Sequence, residues 1–201
     1  MRWARLTIIL LIALFIGAFF QYTLPGREVV RVTGIEIIRQ DFSGWNRIFY
    51  AQGDSGNAEN INRDLRLINT VRPDGSVLVF RNEDTGFGWP PYFKLDSSDL
   101  HAEASNLQST SAAPQWVAVT HYGWRSRLLT TYPNAVSVRA VSGPDASFFP
   151  WFNLIILALI AAALFGLWRL WERFQDKIVD PAVDGTVVRF AKLKDWVRGR
   201  R

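Results

Sequence analysis

The chain has 201 residues, 49% of them hydrophobic, and a formal net charge of +5. It contains no cysteine, which excludes disulfides, thiolate metal sites and a cysteine nucleophile. Residues 25–147 carry twelve Lys/Arg against thirteen Asp/Glu, so the basic balance lies at the two ends and does not mark a nucleic-acid-binding domain.

Residues 1–5 form a short stub with Arg2 and Arg5. Residues 6–24, LTIILLIALFIGAFFQYTL, hold no charge across nineteen positions. At about 1.5 Å per helical residue such a run crosses a hydrocarbon core roughly 30 Å thick. A cleaved signal peptide is the competing reading. The apolar stretch is long for that role, and Phe19-Phe20-Gln21-Tyr22-Thr23-Leu24 offers no small-x-small cleavage site, which favours a retained anchor.

Residues 25–147 are expected to form an α+β, β-rich domain outside the cytoplasm. Glu28 to Arg39 is rich in β-branched residues and reads as a strand, with Gly34 as a bulge. Arg47 to Tyr50 reads as a further short strand, and Ala51 to Asn62 as a polar loop. Asp64–Val71 and Ser76–Arg81 flank Arg72-Pro73-Asp74-Gly75, which predicts a β-hairpin, with proline setting the first corner and glycine accepting positive φ. Asn82 to Lys94 is aromatic and turn-forming, an ordered loop. Leu100, Ala104 and Leu107 have helical spacing, with Ser97 as N-cap and Asp99 favourable in the first turn. Gln115–Tyr122 and Ala135–Val141 read as two more strands. A helix between the third and fourth of five strands matches an OB-like barrel, among other small α+β folds.

Residues 148–168 form a second charge-free run, of twenty-one positions. Pro150 falls in its first turn, where a missing N–H costs little. Trp3 and Tyr22 bracket the first run, and Trp151, Trp168 and Trp171 the second, as aromatic rings do at headgroup depth. Ala158, Ala161, Ala162, Ala163 and Gly166 would let another helix approach closely, including the first span of the same chain, so they leave the homo-oligomeric state open. Residues 169–201 carry nine Lys/Arg and five Asp/Glu. Within them Leu170, Trp171, Phe174 and Ile178 share a face if the helix continues. Phe190, Leu193 and Val197 line one side of a basic amphipathic helix that suits an anionic leaflet, although a solvated tail fits equally. Basic flanks resist export, so both termini are expected in the cytoplasm and the middle domain on the other side of the membrane.

Catalytic signals are thin. His101 and His121 are the two histidines, no zinc-site spacing surrounds them, and no cofactor fingerprint appears, so neither a metal nor a cofactor is expected. Gly86-Phe87-Gly88 lacks the third glycine of a dinucleotide fingerprint. Asp96 and Asp99 sit around a helix start, where capping accounts for them. Two aromatic segments stand out. Residues 82–93 offer Trp89, Tyr92 and Phe93 on a stiff Pro-Pro frame, and residues 121–125 offer His121, Trp124 and Arg125. Together these six residues are candidates for a binding surface. The plain alternative is that they cap the core and pair internally.

Three segments of this chain, RNEDTGFGWPPYFKLDS (81–97), WVAVTHYGWR (116–125) and PNAVSVRAV (133–141), lead to Pro-Trp-Phe-Asn at the second apolar run. They resemble an uncharacterised, largely proteobacterial family of short two-span inner-membrane proteins, known as a domain of unknown function. The likeness covers nearly the whole chain, with residues 53–62 as a departure. It implies a single-domain membrane protein and carries no activity, cofactor or site residue.

Three roles remain. The first is a non-enzymatic accessory or scaffold protein whose periplasmic domain meets a membrane or envelope protein partner. The second is a binding module for an envelope small molecule or glycan. The third is a hydrolase or transferase using His121 with Glu83 or Asp84, which needs imidazole and carboxylate within about 3 Å.

Overall fold

The computed structural model describes residues 2–41, 49–50 and 62–175, with isolated positions 177 and 199. The chain divides into two compact units, Met1–Phe148 and Phe149–Arg201.

The first unit opens with helix α1, Arg2–Thr23. Its residues are apolar nearly throughout, and its last turn closes with Leu24 N donating to Phe20 O at 2.8 Å. Pro25 then lacks the N–H to continue it. Five strands follow: β1 Gly26–Asp41, β2 Asn62–Val71, β3 Val77–Arg81, β4 Val117–Tyr122 and β5 Asn134–Ala140. They close into a barrel of order β1-β2-β3-β5-β4. β1 is long enough to pair at its start with β4 (Gly26↔His121) and further on with β2 (Arg31↔Val71 to Asp41↔Asn62). The register shifts at the expected bulge, between Val32 and Gly34. β3 meets β5 in parallel at Arg81↔Asn134, and the other pairings are antiparallel.

Alternating residues from every strand fill the barrel: Val30 and Val32, Ile68, Leu78 and Phe80, Val117 and Val119, Ala135 and Val138. Helix α2, Ser97–Asn106, adds Leu100 and Ala104 at the predicted spacing, with Leu107 packed against them. Each such large side chain taken fully out of water contributes roughly 1.5–3 kcal/mol. A second, smaller core lies on the other face of β2, where Leu65 and Leu67 pack with Tyr50, Ile38, Phe49, Val79 and Tyr132. β2 therefore buries side chains on both faces.

The β2–β3 turn forms where Arg72-Pro73-Asp74-Gly75 predicts it. Gly75 has φ 82°, Arg72 N donates to Ser76 O at 2.9 Å, and Asp74 accepts from Ser76 N at 2.8 Å. Two local expectations change in this unit. The N-cap of α2 is Asp96, which accepts from Ser98 N and Asp99 N, because its carboxylate reaches both orphan donors. Ser97, expected as the cap, is buried, accepts from Arg66 at 2.9 Å and donates to Asp84 at 3.3 Å. Of the strand expected over 47–50, residues 47–48 lie outside the described residues, and Phe49 and Tyr50 are not strand but pack on the second core.

The second unit contains α3, Trp151–Phe174. Pro150 is its N-cap rather than part of its first turn, with its carbonyl accepting from Leu154 N at 3.2 Å. The helix runs past Trp168 and ends beyond Arg173, so Leu170, Trp171 and Phe174 are helical as expected. The loop expected over 51–62 lies almost wholly outside the described residues, as do Ile178 and the amphipathic helix expected after residue 186. Both α1 and α3 are long and apolar enough to cross a membrane, and α1 alone is also compatible with a signal sequence.

Candidate functional site

The register brings three strand ends together, since Asn134 at the start of β5 pairs with both Arg81 at the end of β3 and Tyr122 at the end of β4. The last turn of α1 is held at this end of the barrel. Gly123 N donates to Tyr22 O at 2.9 Å, and the Tyr92 hydroxyl donates to Thr23 O at 2.6 Å. The Trp124 indole N–H donates to the Gln21 side-chain oxygen. Phe19 and Trp89 stack, with ring centroids 5.6 Å apart and planes 16° from parallel. Tyr22 meets Phe49, Tyr122 and Trp124, and Tyr92 stacks on Tyr122 at 4.8 Å. The two aromatic segments singled out in the sequence thus converge on the end of the first apolar helix.

Beneath this clamp lies a buried polar cluster. Arg81 is only 2% exposed, and its guanidinium lies 4.6 Å from the centroid of the Tyr50 ring. Its Nε stands 3.4 Å from Glu83 Oε2, while Nε and Nη1 meet no acceptor in hydrogen-bonding geometry. A buried guanidinium is tolerated when a carboxylate and an aromatic face replace its water. Asn134 locks the carboxylate's backbone, accepting from Glu83 N at 2.9 Å and donating to Glu83 O at 3.0 Å. It also donates to the Tyr122 hydroxyl at 3.0 Å. Lys94 is buried too, donating to Asn82 Oδ1 and to Ala135 O at 2.8 Å. Burial pulls its pKa down to about 8 although Asp84 and Glu83 favour its charge. Burial likewise pushes the Tyr50 phenol up to about 12, and it raises that of Tyr92. These shifts follow from desolvation, which penalises whichever form is charged.

The six residues expected to share a binding surface do different things. Trp89, Tyr92 and Trp124 hold α1. Phe93 is exposed and meets Phe87 edge-on at 6.0 Å. Arg125 lies 4.3 Å over the Tyr132 ring and donates to Thr131 O at 2.9 Å, which braces the β4–β5 loop. His121 packs 5.1 Å from Phe80, and a Cβ on Gly26 would stand 3.2 Å from its ring, so β1 passes the imidazole closely there. Its charged neighbours are Glu28 and Arg72, which pair with each other at 3.1 and 3.2 Å. The structure does not join His121 to Glu83, which sits with Arg81, or to Asp84, which accepts from Ser97. His101 lies on α2, and its Nδ1 has no hydrogen-bond partner. Among the described residues no three His, Asp or Glu side chains gather as a metal site would require. Of the aromatics expected at a membrane interface, Trp3, Trp151, Trp168 and Trp171 are exposed, whereas Tyr22 turns to the barrel.

Arg81, Lys94 and Asn134 were missed in the sequence. Arg81 follows Val77 and Val79 on the face of β3 opposite Leu78 and Phe80, so alternation assigns it to solvent. The available signal was that its companions on that face are apolar, which implies a cover.

A closed five-stranded barrel, packed by one helix and fixed to an apolar N-terminal helix, defines the class of fold this chain has. The chain belongs to the family described as Protein of unknown function (DUF1523), whose model matches residues 1–175. It is similar to a Haemophilus influenzae protein described as uncharacterized, with 35% identity over 167 residues, covering 82% of this chain and 91% of that one. No solved structure matches.

Proposed function

We propose that this chain is a non-enzymatic scaffold or accessory protein of the bacterial inner membrane. Two spans hold both termini in the cytoplasm and present an OB-like barrel to a protein partner in the periplasm. The observation that carries this reading is the use made of the conspicuous side chains: Trp89, Tyr92 and Trp124 mount the barrel on α1. A barrel fixed to its anchor through backbone bonds at Tyr22 and Thr23 is a stiff platform. The same contacts favour a retained anchor over a cleaved signal, since cleavage near residue 24 would strip the clamp of its other half.

OB-fold barrels bind oligonucleotides and oligosaccharides through strands 2 and 3 and the loops after strands 1 and 4, and we take the same face as the one that meets the partner. Here the loop after β4 is committed to α1, which leaves the β1–β2–β3 surface. Ile37 and Val77 on it are 59% and 70% exposed. A photoreactive residue in place of Ile37 or Val77, in cells carrying the full chain, is expected to crosslink a discrete envelope protein. No crosslink above background, together with turnover of a substrate by the purified chain, overturns the reading.

A further inference from the structure

Two loops at the clamped end of the barrel display apolar side chains that are largely exposed among the described residues. The first is tied at its base, where Thr85 N and Gly86 N both donate to Lys94 O, at 3.0 and 3.1 Å, and Lys94 N donates to the Thr85 hydroxyl at 3.1 Å. Between these ties Phe87 is 86% exposed and Trp89 66%, and Phe93 is also exposed. Phe93 is held at φ 50°, a conformation that costs a non-glycine residue about 1–3 kcal/mol. The second loop is tied by Ser126 N to Thr131 O at 3.2 Å and Thr131 N to Ser126 O at 3.0 Å. Its tip carries Leu128, 93% exposed, next to the exposed Arg127, and Thr130 also has φ 50°.

The helix sets the depth of both loops. Phe19 lies five residues inside the outer end of the charge-free run, roughly 7 Å at 1.5 Å per residue. Trp89 stacks flat on it, so the indole stands beside apolar helix and its open face has no protein cover. Trp124 anchors the second loop to Gln21, three residues inside the same end. Rigid aromatic and aliphatic tips at that level, with arginine beside them, are the chemistry of a headgroup–acyl boundary. A protein partner would have to approach Trp89 from the side where lipid surrounds the helix.

From this geometry we infer that the loops 86–93 and 126–131 are a membrane-contacting surface that dips into the outer leaflet around α1. This rests on the reading of α1 as a span. The loops add an attachment to lipid beside the contacts that already clamp the barrel to α1.

The absence of cysteine makes the test direct. Single Phe87→Cys, Leu128→Cys, Glu103→Cys and Phe15→Cys variants of the full chain are labelled with a nitrobenzoxadiazole fluorophore and reconstituted in vesicles of phosphatidylethanolamine and phosphatidylglycerol. Quenching by shallow doxyl-labelled lipid is expected to be several-fold stronger at 87 and 128 than at 103 on α2, and iodide quenching several-fold weaker. Labels at 87 and 128 that respond like 103, while 15 reports lipid, overturn the inference and leave the span intact. A label at 15 that is open to iodide sinks the span, and with it this inference.

Discussion

His121 shows how one buried ring ties stability to pH. Burial between Phe80 and Gly26 lowers its pKa, with Glu28 opposing and Arg72 assisting. Above about pH 6.5 the imidazole is neutral in both folded and unfolded chains and costs nothing. Below that the unfolded chain takes up the proton first, so stability falls as pH drops from the unfolded pKa toward the lower folded one. Thermal unfolding of the full chain in detergent is expected to lose midpoint temperature across this window. A His121→Phe variant is expected to lose less. Equal slopes in both proteins would remove His121 as the source. Arg81 makes the complementary case, a charge kept buried by its partners. Arg81→Met removes a buried cation from beside the Glu83 carboxylate and is expected to cost about 3–5 kcal/mol, whereas Arg81→Met with Glu83→Gln costs much less. Denaturant titration of both variants checks this, and equal losses would show that packing, not charge, dominates.

At the scale of elements the central contact is between α1 and the barrel end. Tyr92→Phe removes only the hydroxyl that bonds Thr23 O and keeps the ring stacked on Tyr122. An acceptor left unpaired there is expected to cost about 1–3 kcal/mol. The same change in a chain lacking α1 is expected to cost nothing, which separates helix docking from barrel packing. Calorimetry of the four proteins closes the cycle. The elements themselves were legible in the sequence because each carries its own period. β-branched alternation marks β1, Pro-Asp-Gly marks the β2–β3 turn, and Leu100 and Ala104 mark the buried face of α2. The site was not legible, because it depends on which distant segments meet. Trp89 and Trp124 stand out as aromatics in any reading of the string. Only the parallel Arg81↔Asn134 register and the end of α1 turn them from a ledge for a ligand into a clamp. Arg81 escaped notice for the same reason: its cover, Tyr50 and the α1 terminus, comes from residues far from it in sequence.

For the molecule as a whole the decisive property is which side of the membrane each part occupies. Arg2 and Arg5 precede the first apolar run, and nine Lys/Arg against five Asp/Glu follow the second. If both runs span the membrane as proposed, each basic side chain in these flanks adds to the preference for both termini inside. A fluorescent protein that matures only in the cytoplasm, fused after Arg201, is therefore expected to glow. Alkaline phosphatase, active only outside, is expected to work when inserted at Gly143, beyond the last strand. The first run needs a separate measurement, because a cleaved signal would give the same two signals. There the packing supplies the expectation. Phe19, Gln21, Tyr22 and Thr23 all touch the barrel, so removing the run exposes Trp89, Tyr92 and Trp124 and frees the Arg81 cluster to water. Mass spectrometry of the purified chain is expected to recover peptides from residues 1–24 still joined to β1. A mature protein beginning near Pro25 would mean that the clamp exists only before processing, and the barrel would then be tethered by α3 alone.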